Sequence, residues 1–321
     1  MPETPTVLWF GDIGRDDLAV AGGKGANLGE LTQAGIPVPP GFVVSAPTYA
    51  AFIEDAGLRP RLAALLERVD PANFPGLQVL AREAKALLTV TPVPEAVAGA
   101  VAKAYQRLGG GPVAARSSAT AEDLPGASFA GQQASFLNIR GAARVVEAVR
   151  ECWASLFEPQ AIAYRARAGY GHLDVAIAVV VQRMVQSERS GVMFTVNPVT
   201  GDRGQLVIEA VYGLGEAAVS GMVTPDTYIV DKASLAVLDR SVSSQEQELV
   251  GDPEAAGLEA NVWREVPPDR RSAQKLSDEQ IAELSRLGQR VEAHYGAPQD
   301  IEWALESGTL HLLQARPVTT V

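Results

Sequence analysis

The sequence predicts a mixed α/β fold, and three observations carry that reading. Val175–Val181 is a near-continuous run of Val, Ile and Ala, the mark of a strand buried on both faces. Through residues 58–108, Leu62, Leu65 and Leu66, then Leu80, Ala84 and Leu87, recur at three- and four-residue spacing, which is helical periodicity. Near the end, Gln299–Leu305 alternates polar and apolar residues, and a Gly-containing turn leads to a partner strand, the pattern of a hairpin.

With 321 residues the chain can bury one large or two moderate domains. A hydrophobic share of 47% with 20% charged residues describes an ordinary globular protein. The net charge of −11 argues against sequence-independent binding to nucleic acid or to an anionic membrane, because both need a basic surface. A single cysteine, Cys152, excludes an intrachain disulfide and a thiolate cluster; beside Trp153 it reads as a buried small hydrophobe. No signal-type opening is present, and no apolar run approaches ~18 residues. The cytoplasm is the expected location.

In chain order, Val7–Phe10 reads as a short strand, and Ala21–Leu31 as small residues opening into a helix. Pro37, Pro39 and Pro40 fix an extended path into a strand at Gly41–Val44, and Pro47–Ile53 starts a helix. Breaks at Asp70-Pro71 and Thr91–Pro94 divide residues 58–108 into about three helices. Val113-Ala114-Ala115 is a strand end, Ser135–Ile139 a half-buried strand, and Val145–Gly169 a helix pair. Ser190–Pro198 is a strand ending in a turn, Leu206–Ala210 a strand and Thr224–Val230 a turn and then a strand, and Ser234–Arg271 reads as hairpins with exposed connections. Ser277 with Gln280 three residues on forms a capping box for a helix running to Gly296.

Four stretches suggest chemistry. The strand end at Ala115 delivers Arg116 with Ser117, Ser118 and Thr120, and the small-residue loop Ser128–Gln132 follows a Pro-Gly turn. A guanidinium with a loop whose backbone N–H groups can approach oxygens suits polyphosphate; an ordinary polar loop with a surface Arg has the same composition. Gly22-Gly23-Lys24 can bring a lysine to a phosphate, though it lacks Walker A spacing and equally describes a helix-entry turn. After Val181, Gln182–Gln186 is a polar-then-apolar connector of the kind that edges a purine, or an ordinary strand exit. Paired antiparallel, the final hairpin presents Asp300, Glu302, Gln314 and Arg316 together. Carboxylate and amide oxygens suit Mg²⁺, and Arg316 suits a charge developing on a transferred group. Glu209 and Glu216 are either metal-facing or solvated.

RSSATAEDLPGASFAGQ (116–132) resembles the signature of the ATP-binding domain shared by phosphoenolpyruvate synthase, pyruvate phosphate dikinase and rifampicin phosphotransferase. GGKGANLGEL with GIPVPPGFVVSAPTYAAF, VQRMV with SGVMFT, and DIEWAL with LHLLQARPV are similar to that family's other segments, in the family's order. The resemblance implies an ATP-grasp fold with ATP between two lobes: 1–183 with the phosphate-binding Lys/Arg and Gly loop, and 184–321 with the Mg-binding hairpin. It places Lys24, Arg116, Gly131 and Gln132 at the phosphates and Gln182 and Met184 at adenine. Glu302, Gln314 and Asp300 fall at Mg²⁺, and Arg316 beside the leaving charge.

The resemblance also implies a dikinase-type phosphotransferase that splits ATP to AMP and phosphate. It passes a phosphoryl group to a histidine on a swivelling domain and then to a small-molecule acceptor bound elsewhere. Pyruvate, giving phosphoenolpyruvate, is the first expectation; rifamycin or a phenol-type acceptor follows. His172, His294 and His311 are the only histidines, and none has the surroundings of the phosphate-accepting one. The expectation is therefore an ATP half-site, excised from a longer enzyme or free-standing beside a histidine-carrying subunit. A non-catalytic ATP-sensing module and a carboxylate–amine ligase are the alternatives; the ligase would release ADP.

Overall fold

The computed structural model describes residues 4–120, 134–255 and 257–318. In chain order the elements are β1 (Val7–Trp9), α1 (Leu18–Gln33), β2 (Gly41–Val44), α2 (Ala46–Asp55), α3 (Leu58–Leu66), α4 (Phe74–Thr89), α5 (Glu95–Arg107), β3 (Val113–Ala119), β4 (Ser135–Ile139), α6 (Ala142–Ala154), α7 (Pro159–Ala168) and β5 (Ile177–Arg183). They continue with β6 (Arg189–Phe194), β7 (Gln205–Tyr212), α8 (Glu216–Val219), β8 (Asp226–Asp231), β9 (Val237–Ser241), β10 (Gln247–Gly251), β11 (Asn261–Glu265), α9 (Asp278–Tyr295), β12 (Gln299–Glu306) and β13 (Thr309–Pro317). The mixed α/β class is the expected one. The chain forms two compact units: Met1–Glu30, Pro40–Met184 and Ala256–Ala260 make one, and Leu31–Pro39, Val185–Ala255 and Asn261–Val321 the other.

The first unit is built on an antiparallel sheet ordered β1-β2-β5-β3-β4. One face is sunk in a helical layer, where Phe42, Val44, Ala115, Val179 and Val181 pack with Phe52, Leu62, Leu88, Trp153 and Phe157. Cys152 lies fully buried there, and burial pushes its thiol pKa up, so it is the inert small hydrophobe expected. The helix breaks fall where Asp70-Pro71 and Thr91–Pro94 place them, and Asn73 caps α4 by accepting the Gly76 N–H at 3.0 Å. Two strand limits differ from expectation. β3 runs on through Ala119, so Arg116 sits mid-strand. β5 begins at Ile177 and includes Gln182 and Arg183, which the sequence suggested as a connector. Both extensions follow from pairing: β3 and β5 hydrogen-bond in register from Val113↔Arg183 to Ala119↔Ile177, and a ladder partner overrides local polarity.

The second unit is an antiparallel sheet ordered β13-β12-β6-β7-β8-β9, with β10 and β11 as a separate hairpin. One face packs on α9: Met193, Ile208, Tyr228, Ile301 and Trp303 meet Ile281, Leu284 and Val291. A Cβ at Gly288 would stand 2.7 Å from Met193 Cε, so the helix approaches the sheet closely there. The α9 capping box is present: Gln280 N–H donates to Ser277 Oγ at 3.3 Å, and Ser277 N–H donates to Gln280 Oε1 at 3.0 Å. Beneath this layer, fully buried Lys275 and Asp226 form an ion pair at 2.6 Å. Tyr228 Oη and the Lys275 and Ser243 N–H groups donate to the same carboxylate, so it is satisfied. Among the described residues no helix is long and apolar enough to cross a membrane.

Candidate functional site

In the first unit the site residues lie on the sheet face away from the helical layer. Arg116 and Ser118 are two apart on β3 and share a face. Arg116 stands opposite Val180 and Ala114 opposite Gln182, so Gln182 belongs to that face as well. α1 lies across it: a Cβ at Gly25 would stand 2.9 Å from Val43 Cγ2, and one at Gly22 would stand 2.1 Å from Ser118 O. Gly22, at φ 67 and ψ 173, breaks the helical path, a conformation a side chain would strain. Ser118 Oγ donates to Ala21 O at 2.9 Å and accepts the Gly25 N–H at 3.2 Å, stapling the turn that carries Lys24 to the strand that carries Arg116.

This arrangement corrects part of the sequence reading. The hydroxyls beside Arg116 were read as part of a phosphate site, yet each serves a backbone carbonyl. Ser117 Oγ donates to Ala134 O at 3.2 Å, Thr120 Oγ1 to Ala176 O at 3.1 Å, and Ser118 to Ala21. Of the three, Ser118 joins the elements that carry Lys24 and Arg116. Gln182 is buried at 2% exposure in the strand, and Met184 is buried with its N–H donating to Pro112 O at 2.9 Å. Gly131 and Gln132 lie outside the described residues.

In the second unit β12 and β13 bring the predicted set together. Asp300 pairs in register with Arg316, and Glu302 with Gln314, on the sheet face opposite α9. Arg316 Nε and Nη2 both donate to Asp300 Oδ2, at 2.8 and 2.7 Å. Asp300 thus spends one oxygen on Arg316. Burial holds its pKa up, Arg316 opposes that shift, and Glu302 adds to it. Glu302 and Gln314 offer a carboxylate and an amide oxygen side by side. Mg²⁺ keeps several waters and takes one or two carboxylates plus phosphate oxygens, so this donor set fits it without a closed cage. Among the described residues no group of three His, Cys, Asp or Glu side chains could hold a metal alone.

Glu209 is the residue whose place the sequence left open. Register runs Glu302↔Val192↔Glu209 across β12, β6 and β7, placing Glu209 on the face of Glu302 and Gln314. Burial, and then the Asp300 carboxylate, raise its pKa. Parity within β7 cannot reveal this, because the strand order that sets Glu209 two strands from Glu302 is absent from local sequence. Glu216 opens α8 instead and accepts from Asn261 Nδ2 at 3.3 Å.

Comparison with known proteins gives the site its context. The family described as "Pyruvate phosphate dikinase, AMP/ATP-binding domain" matches residues 18–321. A "Probable phosphoenolpyruvate synthase" of Methanothermobacter thermautotrophicus is 52% identical over 98% of this chain and 46% of its own length. The "Phosphoenolpyruvate synthase" proteins of Pyrococcus furiosus and Aeropyrum pernix are each 40% identical, over 98% and 99% of this chain and 44% and 43% of theirs. The chain therefore spans less than half the length of these relatives. Among solved structures, D-alanyl-alanine synthetase A from Vibrio cholerae superposes at a TM-score of 0.28 with 11% identity, over 74% of this chain and 54% of that one.

Proposed function

This chain belongs to the AMP/ATP-binding domain family of pyruvate phosphate dikinase, and on that footing we propose that it is the ATP-holding part of a phosphoenolpyruvate synthase. The observation that carries the reading is the register of the β12–β13 hairpin. It sets Glu302 beside Gln314 and Asp300 beside Arg316 on one sheet face, within a chain the family matches almost throughout.

In this reading Lys24 and Arg116 hold phosphate oxygens, Lys24 as a point charge and Arg116 through its planar fork. Ser118 keeps their two elements together. Gln182 and Met184 meet the adenine, with Gly131 and Gln132 adding backbone donors at the phosphates. Glu302 and Gln314 would hold Mg²⁺, and the ion would supply positive charge against the phosphates. Arg316, oriented by Asp300, stabilises charge on the departing group. No general base is required of this chain, because the nucleophile is a histidine of a separate swivelling domain. The relatives' greater length is consistent with such further domains. Pyruvate is the acceptor that the relatives' names favour.

Nucleotide products decide it. Combined with the histidine-carrying and acceptor-binding domains of a relative, the chain with Mg-ATP and pyruvate is expected to release AMP and phosphate and to form phosphoenolpyruvate. ADP as the accumulating nucleotide would overturn the reading.

A further inference from the structure

The second unit contains a cavity of about 440 Å³ whose lining includes Arg189, Arg264 and Arg270 with Glu188 and Glu248. It does not belong to the Glu302 face. Arg189 pairs in register with Tyr212 on β7 and with Leu305 on β12, so it shares the face of Met193, Ile208 and Trp303, opposite Glu302, Glu209 and Gln314. Three arginines against two glutamates make a locally positive cavity in a chain of net charge −11.

The guanidinium groups differ in how far they are satisfied. Arg264 is committed, its Nε and Nη2 donating to Glu248 Oε1 at 3.1 and 2.8 Å. Arg270 and Arg189 both lie over the ring of buried Tyr212, at 4.5 and 6.0 Å from its centroid. The Arg270 guanidinium has no carboxylate or carbonyl partner among the described residues. Among the described residues the one carboxylate that Arg189 reaches is Glu188, at 3.8 Å, and its Nε is buried with no hydrogen-bond partner. Their position over the ring leaves the Arg270 N–H groups and the Arg189 Nε without an acceptor among the described residues. The buried Arg189 Nε calls for an acceptor, and a planar fork best fits a two-oxygen anion.

We propose that this cavity is a second ligand site, distinct from the nucleotide residues, that takes a small metabolite bearing an oxyanion, carboxylate or phosphate, between Arg189 and Arg270. Calorimetry on the 321-residue chain with two probes, inorganic phosphate and succinate, tests it and separates the two sources. At least one probe is expected to bind saturably and to keep its affinity in the Lys24→Ala/Arg116→Ala double variant. The same probe should weaken about tenfold or more in Arg270→Gln and in Arg189→Gln, the scale of a lost charge-assisted contact. Arg270→Lys keeps a cation over Tyr212 without the fork and should weaken as well, covering the case in which a glutamine variant does not fold. No saturable binding of either probe would overturn the proposal. So would binding that is lost with Lys24 and Arg116 and indifferent to Arg189 and Arg270.

Discussion

At the scale of single residues, the informative groups are those whose charge the fold holds away from its ordinary balance. Burial and then the Asp300 carboxylate hold the Glu209 pKa up, so folded chain retains a proton that unfolded chain has already lost. Stability from this group is therefore complete below the ordinary carboxylate range and is lost as pH rises through the raised value. Asp300, raised chiefly by burial, acts in the same direction. Glu209→Gln is expected to flatten the fall in stability from acid to neutral pH, read by urea unfolding at a series of pH values. An unchanged pH slope would mean that Glu209 is solvated and unperturbed. That Asp300, Glu302, Gln314 and Arg316 share a hairpin face was legible in the sequence, because their two-residue spacing on paired strands already implies it. Glu209 was not, since its significance depends on a neighbour almost a hundred positions away. The hydroxyls beside Arg116 were misread for a related reason: a serine that donates to a distant carbonyl looks the same in sequence as one facing a phosphate.

At the scale of elements, α1 and β3 form one device. Ser118 ties Ala21 and Gly25 to the strand, and the turn between them is possible only because residue 22 has no side chain. Gly22→Ala would place a methyl group 2.1 Å from Ser118 O at a backbone φ of 67. It is expected to cost roughly 1–3 kcal/mol of stability and to weaken ATP binding by displacing Lys24. Thermal unfolding and nucleotide titration of the same variant check both effects; an unperturbed variant would mean that α1 does not depend on this contact. The helices of residues 58–108, the α9 capping box and the final hairpin could be read from local pattern alone. The limits of β3 and β5 could not, because each is set by the other strand. The β10–β11 hairpin lies in the stretch read as hairpins, but its strand limits and the Glu248–Arg264 pair across it carried no local signal.

At the scale of the molecule, each of the two units has its own sheet, its own apolar core and one sheet face left for polar residues. The proposed role in holding Mg-ATP rests on Lys24 and Arg116 in the first unit and on Glu302 and Gln314 in the second, and each pair can be tested by itself. Calorimetric titration with ATP, with and without Mg²⁺, on wild type, Arg116→Ala and Glu302→Ala tests it most directly. The account predicts saturable binding to wild type that strengthens with Mg²⁺. Each substitution should weaken it by about tenfold or more, the scale of a lost charge-assisted contact. Glu302→Ala should also abolish most of the Mg²⁺ dependence, while Arg116→Ala leaves that dependence in place. Binding that is absent in wild type, or indifferent to both substitutions, would contradict the account.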